Sequence, residues 1–187
     1  VDTEELLFRL NKALPNDIAV FDILKMEGLP HARFDAISRT YAYHIHTYKN
    51  PFLSNTSSFY RLKNLNLKQM EKALQLLLNY QDYRAFCTTP AKYEHTICRV
   101  SLVKLEVDES GNHIKLQITA NRFLSKMIRI IIGKILKIGN GEMSIDEFEH
   151  HLISKETPLI LDLAYPQGLH LSKIIYPFLD LENKGKF

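Results

Sequence analysis

Arg129 falls inside the most apolar run of the chain, Met127 to Ile138. A guanidinium stays charged at any accessible pH and is rarely buried without a partner. The positions one helical turn away hold Ser125, Lys126, Ile132 and Gly133, none of them acidic. Arg129 is therefore expected to meet solvent, a distant carboxylate or a phosphate; a surface arginine snorkelling along an apolar helix is the alternative. A second group, His31-Ala32-Arg33-Phe34 followed by Ser38-Arg39-Thr40-Tyr41-Ala42-Tyr43, interleaves basic and aromatic side chains. Arginine can fork onto phosphate and an aromatic face can stack on a base displaced from its helix. The same pattern fits an edge strand with aromatics packed on the core. The third group is Asp82-Tyr83-Arg84-Ala85-Phe86 with Lys92-Tyr93-Glu94-His95-Thr96-Ile97-Cys98-Arg99, suited to phosphate contact or to a solvated loop. The eight histidines form no ligand set, and neither a glycine-rich phosphate loop nor a Gly-x-Ser-x-Gly elbow is present, so no metal site is expected.

The elements that must carry these groups follow from periodicity. Leu6, Leu7, Leu10 and Leu14 make a helical stripe over Thr3 to Leu14, ended by Pro15-Asn16-Asp17. Ile18 to Met26 is expected to be a short strand. Ser38 to Thr47 alternates, with Tyr41, Tyr43 and Ile45 on one face and Thr40, Ala42, His44 and His46 on the other. Asn50 to Ser58 is expected to be a loop. Asn66 caps a second helix, and Cys98 to Val107 and His113 to Ala120 form a hairpin through Asp108-Glu109-Ser110-Gly111-Asn112. Phe123 to Ile138 is expected as a helix stopped by Gly139-Asn140-Gly141, and Ser144-Ile145-Asp146-Glu147 is a capping box. Gly168 to Tyr176 is a last strand. The class is α+β: a mixed or antiparallel sheet with helices packed on one face and the other free to line a cleft. Without a repeat or a long linker, residues 1–187 are expected to form one domain.

The 187 residues are 45% hydrophobic and 24% charged, enough for one good core. No apolar run approaches the roughly 18 residues of a membrane span. Cys87 and Cys98 match no zinc or redox spacing and suit a reducing, cytoplasmic setting. The net charge of +3 permits a nucleic-acid partner without demanding one. The chain opens on Val1 and then Asp2-Thr3-Glu4-Glu5, a helix start, so it reads as a piece of a longer protein.

Five blocks, in order, resemble the bacterial tRNA pseudouridine synthase A (TruA) family. Asn11 to Val20 is similar to N-x-x-L-P-x-D-I-x-V. Pro30 to Ala36 is similar to F-H-A-R-F-x-A, and Arg39-Thr40-Tyr41-Ala42-Tyr43 to R-x-Y-x-Y. Asn121 to Gly133 resembles N-x-F-x-x-x-M-V-R-x-x-x-G, and Ala164 to Leu171 resembles A-P-x-x-G-L-x-L. The resemblance implies an RNA-binding cleft and a cofactor-free isomerase. That enzyme is a cytoplasmic homodimer that converts uridines 38 to 40 of the tRNA anticodon arm to pseudouridine. It implies that an aspartate attacks the flipped nucleotide, the glycosidic bond breaks, and the uracil turns and rejoins through carbon.

By the same resemblance Tyr41 stacks on the target base and Arg129 pairs with the catalytic aspartate. Pro30, His31, Ala32, Arg33 and Phe34 serve base flipping, Lys92 and Tyr93 contact tRNA, and Leu169 and Leu171 line the cleft wall. Pro30 stands where the family has Phe. The R-T-D-A-G-V-H block that carries the nucleophile is absent, and neither Asp35 nor Asp82 sits in a matching context. The expectation is therefore a C-terminal portion, inactive alone, whose nucleophile lies N-terminal to Val1. A non-catalytic RNA-binding module is the alternative, and a domain that binds a protein partner is the third reading.

Overall fold

The computed structural model describes residues 2–62, 64–158 and 161–179. The chain divides into two compact units, residues 1–35 and residues 36–187.

The first unit is built on helix α1 (Thr3–Ala13), which Asp2 caps by accepting hydrogen bonds from the Glu4 and Glu5 amides at 3.0 and 3.2 Å. None of its side chains is buried. The stretch expected as a strand, Ile18 to Met26, is extended but joins no ladder. Its fixed point is a side chain instead. Asn11 donates to the Val20 carbonyl at 2.8 Å and accepts from the Val20 amide at 2.7 Å. That pair occupies the backbone groups a neighbouring strand would need.

In the second unit β1 (Ser38–His46) is the centre of a five-stranded sheet. On one side it pairs antiparallel with β4 (His113–Ala120), which pairs antiparallel with β3 (Val100–Val107). On the other side it pairs antiparallel with β5 (Leu169–Ile175), and its last two residues pair in parallel with β2 (Ser58–Phe59). The sheet is thus mixed. The segment expected as a loop holds β2 and a 3-10 turn, Pro51–Leu53, capped by Asn50. A two-residue strand is too short for alternation to reveal.

Ile114, Leu116 and Ile118 of β4 are buried, and their register partners Ile45, Tyr43 and Tyr41 share their face. Over that face lie α2 (Leu67–Leu76), α3 (Met127–Asn140) and α4 (Ile145–Ser154). Asn66 caps α2 through the Gln69 amide, and Ser144 and Glu147 form the expected capping box of α4. Helix α3 starts four residues later than its apolar pattern suggests. Lys126 is left-handed, with φ +58°, and turns the chain out of the preceding Arg122–Ser125 segment. Such a backbone costs of order 1–3 kcal/mol in a residue with a β-carbon, so the surrounding packing must enforce it.

Lys134 of α3 is only 3% exposed, its ammonium 6.0 Å from the centre of the Phe86 ring. Burial pushes its pKa down, offset in part by the Asp162 carboxylate. Lys134→Met keeps the packed stem and removes the charge. It is expected to stabilise the fold by about 1 kcal/mol, read as a higher midpoint in thermal unfolding. A lower midpoint would mean that the ammonium is a structural donor.

Candidate active site

Tyr41 pairs with Ile118 on β4 and Leu171 on β5, and Tyr43 pairs with Leu116 and Leu169. Directly paired residues point to the same face. Tyr41, Leu169 and Leu171 therefore lie on the helix-bearing side of the sheet, not on the opposite side that the sequence left free for a cleft. Tyr41 and Leu169 pack at the margin of the core, while Leu171 is 48% exposed. The helices do not cover this margin fully: β5 pairs with β1 alone among the described strands, and most of its residues are exposed.

Beside Tyr41 stands Phe123, edge-to-face with ring centres 5.2 Å apart. Phe123 belongs to the Arg122–Ser125 segment that Lys126 turns into α3. Tyr93 holds the same segment from the other side. Its phenol accepts from the Ser125 amide at 2.9 Å, and the Arg122 guanidinium lies over its ring at 5.6 Å. Thr88 adds an amide hydrogen bond to the Ser125 carbonyl and a hydroxyl bond to its side chain, at 3.3 and 3.1 Å. The resemblance implies Tyr93 as a tRNA contact; in the structure its phenol oxygen also holds the segment next to Tyr41's partner. Lys92 closes the 3-10 turn Pro90–Lys92 and is exposed.

Arg129 lies in the first turn of α3 and is half-buried. The partner that its own helix could not supply is a carbonyl. Nε donates to Ala164 O at 2.6 Å, and the Ala164 amide donates back to Arg129 O at 3.0 Å. Among the described residues Arg129 makes no ion pair. One edge of the guanidinium is thus fixed while its charge is not neutralised, at a helix N-terminus that itself favours an anion.

The segment Ala164 belongs to is pressed close. A β-carbon on Gly133 would come within 2.3 Å of Asp162 O, and one on Gly168 within 2.2 Å of His44 O. Gly168→Ala cannot be accommodated without parting β1 from this segment. It is expected to cost about 3 kcal/mol or more, measured by denaturant unfolding. A loss below about 1 kcal/mol would mean that the segment yields freely.

The two aspartates that resemble nucleophiles by type have other work. Asp35 accepts from the His31 amide at 2.7 Å within the first unit. Asp82 is drawn up by burial but held below the usual carboxylate range by the Thr96 hydroxyl, the Arg84 amide and Lys155. In the first unit Pro30, His31, Ala32, Arg33 and Phe34 form an exposed turn. The imidazole of His31 accepts from the Arg33 and Phe34 amides at 3.1 and 3.3 Å, and Arg33 lies 5.7 Å from the Phe34 ring centre. Among the described residues no group of three or more His, Cys, Asp or Glu is placed to hold a metal ion, and no helix is long and apolar enough to cross a membrane. The sequence did not single out Ala164 as an anchor, nor Phe123 as Tyr41's partner, although both lie in blocks it marked.

The mixed α+β sheet thus carries a half-buried tyrosine beside Phe123, and the first turn of α3 carries an arginine that makes no ion pair among the described residues. Residues 73–177 match the family model described as tRNA pseudouridine synthase. The chain is 36% identical to the tRNA pseudouridine synthase A of Azobacteroides pseudotrichonymphae over 95% of its own length and 70% of that protein. It is 34% identical to the tRNA pseudouridine synthase A of Bacteroides fragilis, covering 95% of the chain and 69% of the relative. It is also 34% identical to that of Thermoanaerobacter sp. strain X514, covering 94% and 72%. The chain belongs to the tRNA pseudouridine synthase family.

Proposed function

We propose that these residues are the C-terminal part of a tRNA pseudouridine synthase that isomerises uridines 38 to 40 of the anticodon arm. The observation that carries this reading is the pair of site features on one margin of the sheet. They are a half-buried tyrosine beside Phe123, and an arginine held through one nitrogen that makes no ion pair among the described residues. A flipped pyrimidine needs an aromatic face to replace the stacking it loses, and a reacting carboxylate needs a fixed cation.

In the reaction the bond between C1′ and N1 breaks and one between C1′ and C5 forms; the C5 proton passes to solvent and N1 takes up a proton from it. The conversion is redox-neutral and uses no cofactor. Tyr41 stacks on the target base, and Arg129 pairs with the nucleophilic aspartate, which lies outside these residues. Leu169 and Leu171 exclude water from the base. The exposed Pro30–Phe34 turn, with Arg33 and Phe34, serves base flipping, and Lys92 and Tyr93 contact the tRNA. The working form is a cytoplasmic homodimer.

The test is site mapping. Unmodified tRNA transcripts treated with the full-length gene product are expected to carry pseudouridine at positions 38 to 40 and nowhere else. Modification outside the anticodon arm, or none, would overturn the reading.

A further inference from the structure

Three hydroxyls from two segments of the chain meet under the segment that anchors Arg129. Tyr43 is 1% exposed, Ser58 is 1% exposed, and Tyr60 is half-buried. Tyr43 Oη lies 2.7 Å from the Tyr165 carbonyl oxygen, 2.9 Å from Ser58 Oγ and 3.2 Å from Tyr60 Oη. A phenol has one proton and a carbonyl can only accept, so the 2.7 Å contact takes that proton and the other two oxygens face Tyr43's lone pairs. The Tyr165 amide donates to Tyr60 Oη at 2.8 Å, and the Gly168 amide donates to Ser58 Oγ at 2.9 Å. The Tyr60 and Tyr165 rings stack with centres 4.9 Å apart. The Gly168 carbonyl accepts from the His44 amide at 2.8 Å. At the other end, Lys137 pairs with Asp162 at 2.6 Å, and Gly133 lets the Asp162 backbone lie against α3.

Both backbone groups of Tyr165, the residue next to Ala164, are therefore fixed by tyrosine hydroxyls. Ala164 O is the atom that fixes Nε of Arg129. Burial pushes the Tyr43 phenol far above its ordinary range, so it stays a proton donor at any pH the protein meets.

We propose that Tyr43, Ser58 and Tyr60 form a hydroxyl clamp whose task is to set the Ala164 carbonyl, and through it the guanidinium of Arg129, for the reaction. They are positioning residues. The inference rests on the reading that Arg129 serves catalysis, and it adds residues outside the Arg129 block to that task. The parallel strand β2 then has a reason to exist: two residues long, it delivers Ser58 and places Tyr60 just beyond its end.

The test uses the full-length protein with Tyr60→Phe, which keeps the ring stack and removes one hydroxyl, and Ser58→Ala as a second, independent variant. Tyr60→Phe is expected to lower kcat about tenfold to a hundredfold, with KM for tRNA within about twofold. In an Arg129→Lys background the same change is expected to cost less than about twofold, because the clamp acts through Arg129. The direct readout is the Nε–H resonance of Arg129, identified by its loss in Arg129→Lys. Its exchange with water is expected to quicken about tenfold or more in Tyr60→Phe.

An unchanged exchange rate, or an equal loss of kcat with and without the native arginine, overturns the clamp. If Ser58→Ala reproduces none of the effect, Ser58 leaves the proposal. A wild-type protein that forms no pseudouridine contradicts the enzyme reading instead, and the exchange rate then decides the clamp alone.

Discussion

Arg129→Ala is expected to lower kcat for pseudouridine formation about a thousandfold, with tRNA affinity changed less than about threefold. The expectation follows from how the guanidinium is held. One nitrogen is committed to Ala164 O at 2.6 Å, and no described carboxylate neutralises the charge. A preorganised cation of this kind stabilises a reacting carboxylate without reorganising during the reaction. Arg129→Lys is expected to recover little. An ammonium cannot bond the Ala164 carbonyl through one edge while presenting a second fork to an anion. Single-turnover rates with saturating enzyme separate chemistry from binding. A rate within threefold of wild type in Arg129→Ala would remove Arg129 from the mechanism and with it the reason for the clamp.

The second large effect is at Tyr41. Tyr41 is half-buried and meets Phe123 at right angles, with ring centres 5.2 Å apart. Base–aromatic stacking contributes about 1–3 kcal/mol. If it is made chiefly after the base leaves its helix, its loss falls on turnover. Tyr41→Ala is therefore expected to reduce kcat about a hundredfold while tRNA Kd rises less than about tenfold. Filter binding and product analysis on the same tRNA check both numbers. An unchanged rate would mean that the base stacks elsewhere. A loss confined to affinity would make Tyr41 a docking residue.

Where a feature rests on local chemistry, the residues announced it. Asn66 and Ser144 are caps because their side chains reach amides three residues on, and such caps are readable from type and spacing alone. The β3–β4 hairpin is as legible: Asp108 sits where its carboxylate can collect the Asn112 and His113 amides, and Gly111 takes φ +71°. The start of helix α3 is not legible in the sequence, because Phe123 and Leu124 extend the apolar stripe. Only the packing of Ser125 against Thr88 and Tyr93 shows why the chain turns at Lys126. The Ile18–Met26 run has strand composition, but Asn11 takes the backbone of its third residue, Val20, and that contact is not a periodic signal.

The site divides in the same way. Arg129 is legible as a charge in an apolar helix, and Tyr41 through the resemblance of its block. The face that Tyr41 shares with Leu169 and Leu171 is not legible, because it depends on the pairing of β1 with a strand some 130 residues later. The clamp was invisible for a stronger reason. Tyr43, Ser58, Tyr60 and Tyr165 come from three separate segments, and a hydroxyl in a sequence carries no hint of its partner.

The central claim is that this margin serves uridine isomerisation with a nucleophile supplied from outside these residues. The most direct measurement is tritium release from tRNA labelled at uridine C5, with residues 1–187 and the full-length gene product assayed side by side. Release by the full-length protein alone is the predicted result. Release by residues 1–187 alone would contradict the account and make Asp35 or Asp82 the nucleophile to test. Release by neither would contradict the assignment of this reaction to the protein.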